Sequence, residues 1–190
     1  MKLKDLVLKN RSYRRFDESY RIEHSLLEEF VELARLSGSA SNRQPLRFVI
    51  CNSPEDCKRV FPSLAWAGYL NDWDGPEPGE RPSGYIIILG DTSITDNFYV
   101  DHGIAAQSIL LGATEAGLGG CMIASVKREQ LCDEFRIPEH YEILLVIALG
   151  KPVENVIIDQ VKDGDIKYWR DSEKNHHVPK RTLDELILKL

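Results

Sequence analysis

Three arginines and a serine lie close together near the start of the chain, in the stretch Arg11-Ser12-Tyr13-Arg14-Arg15. Guanidinium groups match the geometry of phosphate and carboxylate oxygens, and a serine hydroxyl adds a further hydrogen-bond donor. This spacing is typical of an anion-binding site. A solvated basic turn is the competing interpretation, and the spacing alone does not decide between the two.

Two other polar stretches have a composition that suits ligand binding. Residues 37–45 (SGSASNRQP) form a loop of small polar residues, which either exposes backbone amides to a ligand or only connects two elements. Near the end of the chain, Lys180 and Arg181 precede a capping box formed by Thr182 and Glu185. Two cations at the positive end of a helix are unfavourable for that helix, so they hint at a bound anion. A solvated basic turn is again the alternative.

The sequence shows neither a catalytic triad nor a metal-ligand cluster. The four cysteines form no CxxC pair and have no ligand spacing with the five histidines. We interpret them as free thiols in a reducing compartment. They are Cys51, Cys57, Cys121 and Cys132.

Length and charge narrow the class of protein. A chain of 190 residues without a low-complexity tract indicates one domain with a sizeable core. The net charge of −6 and the pI near 5.4 argue against nucleic acid as the main partner. The N-terminus lacks the apolar run of a signal peptide, and no segment has the roughly 18 uninterrupted apolar residues of a membrane span. We therefore expect a cytoplasmic protein without a membrane partner.

The element that must position these residues is the apolar stretch 101–124 (DHGIAAQSILLGATEAGLGGCMIA). Between residues 103 and 118 only Glu115 is charged, so the stretch predicts a helix that is buried on every side. Its small residues would let other backbones approach closely, and Gly117 can end the helix in the left-handed conformation. Such a helix points to a subunit interface or, alternatively, to the central core of a monomer.

The remaining apolar runs predict an α+β sandwich. Buried strands are predicted at 46–51, 85–90 and 141–149. Helices are predicted at 23–36, at 127–135, after the capping residue Ser53, and at both ends of the chain. In the tail, 155–161 is predicted to be extended, and 166–170 is predicted to pair with 176–178. No strand leads into a G-x-G-x-x-G turn, which argues against a Rossmann dinucleotide site.

Residues 63–84 form the least regular region. They carry Trp66, Tyr69 and Trp73 and an acidic, proline-rich run. Two interpretations remain open, a surface excursion and a lid whose aromatic side chains cover a ligand.

Together these stretches resemble the nitroreductase family of FMN-dependent oxidoreductases. The N-terminal residues 11–16 are similar to the family's R-S-x-R-x-F signature, and residues 39–48 (SASNRQPLRF) to its S-A-G-N-x-Q-P-W-R-F segment. Residues 117–119 match its G-L-G turn, and residues 148–152 (ALGKP) match its A-x-G-x-P segment. No single motif is specific, but the four occur in the family's order between residues 9 and 152.

The resemblance implies a nitroreductase-like sandwich, with a mainly antiparallel central sheet flanked by helices. It implies a single domain over residues 1–190, in which 155–190 form a C-terminal extension. It also implies a homodimer with two FMN molecules at the subunit interface, NADH or NADPH as electron donor, and a small-molecule electron acceptor.

The resemblance also assigns residues to the cofactor site. Arg11, Ser12 and Arg14 would hold the FMN phosphate, ribityl chain and pyrimidine edge, and the turn at 39–42 would approach the flavin from the other subunit. The remaining contacts would come from the residues beside the isoalloxazine ring and from two tail cations near the phosphate. The residues of the turn, the ring contacts and the tail are Ser39, Ala40, Ser41, Asn42, Ile123, Ala124, Ser125, Lys180 and Arg181.

The implied activity is the reduction of a nitroaromatic, a quinone or a related acceptor. Hydride would pass from NAD(P)H to flavin N5 in a ping-pong mechanism, with no catalytic side chain. Alternatives are a protein that sequesters or senses FMN, and a specialised flavin reaction such as reductive dehalogenation. Four positions depart from the family pattern, namely Asn10, Gly38, Ser41 and Leu46. No residue of 66–82 carries over from the family, so the substrate stays open.

Overall fold

The computed structural model describes residues 2–189, and the chain folds around an antiparallel sheet. Its strands are β1 Phe16–Asp17, β2 Leu46–Cys51, β3 Gly84–Asp91, β4 Gly119–Ile123 and β5 Tyr141–Pro152. β5 pairs with β3, β4 and β1, and β2 pairs with β3. Every one of these pairings is antiparallel. The predicted α+β fold with a mainly antiparallel central sheet is therefore confirmed.

Six α-helices are present in residues 2–189: α1 Leu3–Lys9, α2 His24–Arg35, α3 Pro54–Val60, α4 Asp101–Glu115, α5 Arg128–Phe135 and α6 Leu183–Leu186. Ser53 caps α3 as predicted, since its Oγ accepts a hydrogen bond from the Asp56 N–H at 3.0 Å. The capping box of Thr182 and Glu185 is also present, but α6 is only four residues long, shorter than predicted. No helix among residues 2–189 combines the length and the apolar character needed to cross a membrane.

Alternation along the strands gives the sheet two apolar faces. Ile86, Ile88 and Ile147 pack with α2 and α4 on one face, whereas Tyr85 and Ile87 pack with α3 and α5 on the other. Such an arrangement is a sheet with a helical layer on each side. A Cβ atom added to Gly112 of α4 would collide with the Leu33 side chain of α2. The glycine therefore lets α2 pack closely against α4, as predicted.

Two differences from the predicted strands have local causes. β5 continues past Leu149 because Gly150 stays in the ladder, paired with Gly119, and Pro152 pairs with Phe16. β4 is absent from the sequence prediction because its residues, GGCMI, contain one β-branched side chain and two glycines. Its strand conformation depends on the partner strand rather than on its own composition.

The prediction that α4 is buried on every side is wrong for the single chain. Gly103, Ile104 and Gln107 are exposed, and Ile104 keeps 39% of its surface accessible. These residues are spaced three and four apart and therefore share one helix face, while α2 and the sheet cover the opposite one. Gly117, at φ +76°, follows the end of the helix as predicted.

The C-terminal extension forms a second, smaller sheet. Its strands are β6 Val156–Gln160, β7 Trp169–Arg170 and β8 His176–Lys180. β8 is central, parallel to β6 and antiparallel to β7. The predicted pairing across the turn at 171–175 is confirmed, because β7 pairs with the start of β8.

His177 joins the parts of this small sheet. Its Nδ1 lies 2.7 Å from Asp159 Oδ2 on β6, and its Nε2 lies 3.2 Å from Asp171 Oδ2 after β7. Its ring stacks on Trp169 with 4.1 Å between the ring centroids. Only the doubly protonated imidazolium can donate a hydrogen bond to both carboxylates at once. Burial opposes that charge, but the two carboxylates outweigh it and raise the pKa of His177.

We expect His177→Gln to remove a pH dependence of stability. A raised folded-state pKa contributes stability that is complete below the unfolded value of about 6.5 and is lost as pH rises through the folded value. Urea unfolding across this window should show wild type losing stability with rising pH more steeply than His177→Gln. His24→Gln, at an exposed histidine on α2, is the control. Parallel pH profiles for wild type and His177→Gln would contradict the assignment.

Candidate functional site

The arginine-rich segment before β1 lies against β4. The Tyr13 N–H donates to the Gly120 carbonyl at 3.0 Å, and Ser12 forms an isolated parallel bridge with Gly120. A Cβ on Gly120 would lie 2.5 Å from the backbone oxygen of Ala148. Glycine at this position therefore allows β4 to approach β5 closely while its other edge receives the N-terminal segment.

Glu154 fixes the backbone of that segment. Its carboxylate is buried and accepts hydrogen bonds from the N–H groups of Arg14 and Arg15, the latter at 3.2 Å. The other carboxylate oxygen accepts from Arg170 Nη2 at 3.0 Å. A buried carboxylate needs such partners. Glu154 could not be predicted from the sequence, because a single glutamate after a strand carries no recognisable signal.

Arg14 lines the same cavity as the end of β4 and the two residues that follow it, and this cavity has a volume of about 180 Å³. Met122, Ile123, Ala124 and Ser125 form one part of its wall. The fold thus brings together four predicted site residues, Arg14 and Ile123–Ser125, which lie more than 100 positions apart in sequence. Within residues 2–189, neither the Ala124 nor the Ser125 N–H donates a hydrogen bond.

The opposite part of the wall comes from the irregular region, through Ala65–Gly68. Two backbone hydrogen bonds hold this segment: the Ala65 N–H donates to the Ser125 carbonyl at 3.0 Å, and the Lys127 N–H donates to the Ser63 carbonyl at 2.8 Å. No residue of Ala65–Gly68 is among the site residues predicted from the sequence. The only signal was the density of aromatic residues in the region.

Trp66 supplies the aromatic surface of the cavity. The side chain is buried, and a Cβ on Gly75 would lie 2.6 Å from its ring. Its Nε1 is buried and has no hydrogen-bond partner in the described part of the chain. For Trp66, this placement favours the interpretation that the aromatic side chains of residues 63–84 cover a ligand. Trp73 instead contacts the tail, with the Arg170 guanidinium 4.1 Å from its ring centroid.

Tail residues surround the Arg14 guanidinium. Arg14 Nη1 donates to the Ser12 carbonyl at 3.1 Å and lies 3.2 Å from His176 Nε2, and the Tyr168 ring is 5.0 Å away. Burial, followed by the charges of Arg14 and Arg170, lowers the pKa of His176 to about 4. The ring is therefore neutral at pH 7, and its Nε2 can accept from Arg14. Arg14 is held in place by the C-terminal extension.

Eight of the twelve predicted cofactor residues do not line this cavity: Arg11, Ser12, the four residues of the turn Ser39–Asn42, Lys180 and Arg181. Arg11 Nη2 donates to the Val7 carbonyl at 2.7 Å, at the end of α1. Lys180 and Arg181 are exposed, and Arg181 pairs with Glu185 at 3.3 Å. The argument that these cations need a bound anion is thus weakened, because the capping carboxylate already supplies negative charge.

The turn Ser39–Asn42 is anchored by Asp101. The Ser39 Oγ donates to Asp101 Oδ2 at 2.6 Å, and the Ala40 N–H donates to Oδ1 at 2.9 Å. Asp101 is only 3% exposed. Ser41 and Asn42 have φ of 52° and 53°, so Ser41 adopts a left-handed conformation without being glycine.

This turn does not line the Arg14 cavity of its own chain. Ser39 borders a separate cavity of about 190 Å³, together with Arg35, Gln44, Arg47 and Asp101. Ser39 to Asn42 therefore lie apart from Arg14 and the β4 end within one chain.

The donor set around Arg14 fits a flavin nucleotide. A flavin edge presents ring nitrogens and carbonyl oxygens as acceptors, and the cavity is lined by a fixed guanidinium and by Ala124 and Ser125, whose amides have no acceptor among the described residues. Its apolar walls, Trp66 and Ile123, suit an aromatic ring. Among residues 2–189, no group of three His, Cys, Asp or Glu side chains is placed to hold a metal ion.

The family model for the nitroreductase family matches residues 7–151. The chain belongs to the nitroreductase family. YodC of Bacillus subtilis strain 168, named for an NAD(P)H nitroreductase activity, is 27% identical over 179 residues, covering 78% of this chain and 89% of YodC.

Two solved structures share the fold. One is from Exiguobacterium sibiricum 255-15 and is described as a nitroreductase in complex with FMN. It has a TM-score of 0.66 and 19% identity, over 80% of this chain and 89% of that one. The other is the NADPH:FMN oxidoreductase of Vibrio harveyi, complexed with NAD⁺. It has a TM-score of 0.60 and 21% identity, over 79% of this chain and 68% of that one.

We expect Asp101→Ala to destabilise the protein by about 1–3 kcal/mol, because the Ser39 hydroxyl and the Ala40 N–H would lose their acceptor. Urea unfolding measures this loss, and hydrogen exchange at Ala40 should accelerate. Asp96→Ala is the matched control, since Asp96 is exposed and makes no side-chain hydrogen bond among the described residues. Equal effects of the two substitutions would show that Asp101 does not anchor the turn.

Proposed function

We propose that the protein is an FMN-dependent oxidoreductase of the nitroreductase type. It would use NADH or NADPH to reduce a nitroaromatic, a quinone or a related small-molecule acceptor. The observation that carries this proposal is the cavity in which Arg14 meets Ile123–Ser125, because the resemblance to the family assigns both to the flavin site although they lie more than 100 positions apart in sequence. Family membership supports the oxidoreductase class.

When bound, FMN would supply the redox chemistry, taking hydride at N5 and returning two electrons to the acceptor in a ping-pong cycle. The side chains of this protein would bind and orient it. Arg14, fixed by Ser12 and His176, would place a permanent positive charge where negative charge develops on reduction. The amides of Ala124 and Ser125 would donate to acceptor atoms at the ring edge. No side-chain acid, base or nucleophile is required.

A second copy of the chain would complete this site. The Arg14 cavity of about 180 Å³ is smaller than the roughly 300–1,000 Å³ typical of ligand pockets. The exposed α4 face at Gly103, Ile104 and Gln107 supports a homodimer, because a second copy would cover it. In such a dimer the turn Ser39–Asn42 would come from the other subunit. The four cysteines are free thiols, which supports a reducing compartment such as the cytoplasm.

Flavin binding and turnover test this proposal together. Purified protein, incubated with FMN and desalted, should retain the flavin absorbance, and Arg14→Gln should weaken FMN affinity by about tenfold or more, since a hydrogen bond to a charged group contributes about 1.5–3 kcal/mol. Arg136→Gln, at an exposed arginine beyond α5, is the matched control.

The double variant Lys180→Ala/Arg181→Ala should weaken FMN but not riboflavin binding if the tail cations reach the phosphate.

Steady-state oxidation of NADH and NADPH with a panel of nitroaromatics and quinones then measures turnover. Multiple turnovers with at least one acceptor are expected. A protein that gains no flavin contradicts the proposal outright. A protein that binds FMN tightly but oxidises neither nicotinamide would instead be a sequestering or sensing protein.

A further inference from the structure

A separate cavity, on the sheet face covered by α3 and α5, carries an excess of positive charge. It has a volume of about 170 Å³, and three cations line it, namely Arg21, Lys58 and Arg81. None of them takes part in an ion pair within residues 2–189. Glu18 is the one carboxylate of the lining, and it already accepts a hydrogen bond from the Gly79 N–H.

Two buried donors in this wall have no partner in the described chain. One is the hydroxyl of Tyr85, whose side chain is fully buried, and the other is Arg81 Nε. An unsatisfied buried polar group costs about 1–3 kcal/mol, so native structures rarely leave two in one wall without a ligand or water to pair them. Water would satisfy the hydroxyl but would not neutralise the cations. An acceptor that carries negative charge would both pair with the two donors and complement the three cations.

We propose that this cavity binds a small oxyanion with a phosphate or carboxylate group, which accepts from the Tyr85 hydroxyl and the Arg81 guanidinium. Lys58 and Arg21 add charge at its exposed side. The cavity volume of about 170 Å³ is well above the roughly 10–15 Å³ of such volume that one water molecule needs, so an ion or a small acid has room there. Burial raises the pKa of Tyr85 well above its usual value, so its hydroxyl stays protonated and available as a donor. The site is separate from the Arg14 cavity, and the inference does not rest on the proposed function.

Calorimetric titration tests the proposal, with inorganic phosphate in one arm and acetate in the other. Chloride keeps the ionic strength constant. The protein is saturated with FMN, so that free phosphate cannot occupy a flavin phosphate site. If the protein takes no flavin, the protein as purified is titrated, and Tyr85→Phe assigns the site in either case. Saturable 1:1 binding of at least one anion is expected. Binding of phosphate alone, of acetate alone or of both identifies the chemical group.

The variants assign that binding to the cavity. Tyr85→Phe should raise the dissociation constant about tenfold or more, because it removes one hydrogen bond to a charged acceptor. Lys58→Gln should raise it by a smaller factor, because Lys58 is exposed. Tyr141→Phe and Lys127→Gln are matched controls outside the cavity and should bind like wild type.

Tyr85→Phe has a second expected signature. It deletes an unpartnered buried hydroxyl, so in chloride buffer the variant should be at least as stable as wild type. In saturating anion, wild type should gain thermal stability relative to the variant, which also corrects for the general stabilising effect of phosphate. Absence of saturable binding by both anions, or binding that Tyr85→Phe leaves unchanged, overturns the proposal.

Discussion

A buried carboxylate has to be paired, and in this molecule that requirement at Glu154 connects three parts of the chain. Its oxygens accept from the backbone of Arg14 and Arg15 and from the side chain of Arg170 in the tail. Removing a partner from a buried ion pair typically costs about 3–5 kcal/mol, because a charge is left uncompensated. The N-terminal segment, the end of β5 and the C-terminal extension are therefore held together at one point. Arg14 gains a defined position from that arrangement.

The tail contributes to the candidate site differently from the way its composition suggests. Its cations Lys180 and Arg181 attract attention in the sequence, yet Arg181 faces Glu185. Tyr168 and His176 are the residues that contact Arg14. A neutral histidine can accept a hydrogen bond from the Arg14 guanidinium without placing a second positive charge beside it.

The sequence predicts most of the fold because the relevant signals are local. Apolar runs mark β2, β3 and β5, and Ser53 marks the start of α3. β4 could not be predicted, because its glycines become strand only through pairing with β5. The exposure of Ile104 could not be predicted either, since an apolar helix does not show which chain covers it.

The residues of the candidate site likewise fall into those that the sequence predicts and those that it does not. Arg14 could be predicted because it belongs to a motif that resembles one of the family, and Ile123–Ser125 because the resemblance places them beside the flavin. Glu154 and Asp101 were not found, because a lone carboxylate acquires its role from donors distant in sequence. Trp66 was noticed only as part of an aromatic region. Its neighbour Phe61 also stacks under Arg81, so the wall of the Arg14 cavity adjoins the oxyanion cavity.

Hydrogen–deuterium exchange with and without FMN tests most directly whether the Arg14 cavity is the cofactor site of a dimer. Slower exchange is predicted in three segments at once, residues 11–14, 122–126 and 39–43, because Arg14 and Met122–Ser125 line one cavity and the third segment would reach it from the second copy. Protection in all three would support a shared site. An unchanged 122–126 segment under FMN saturation would contradict the account.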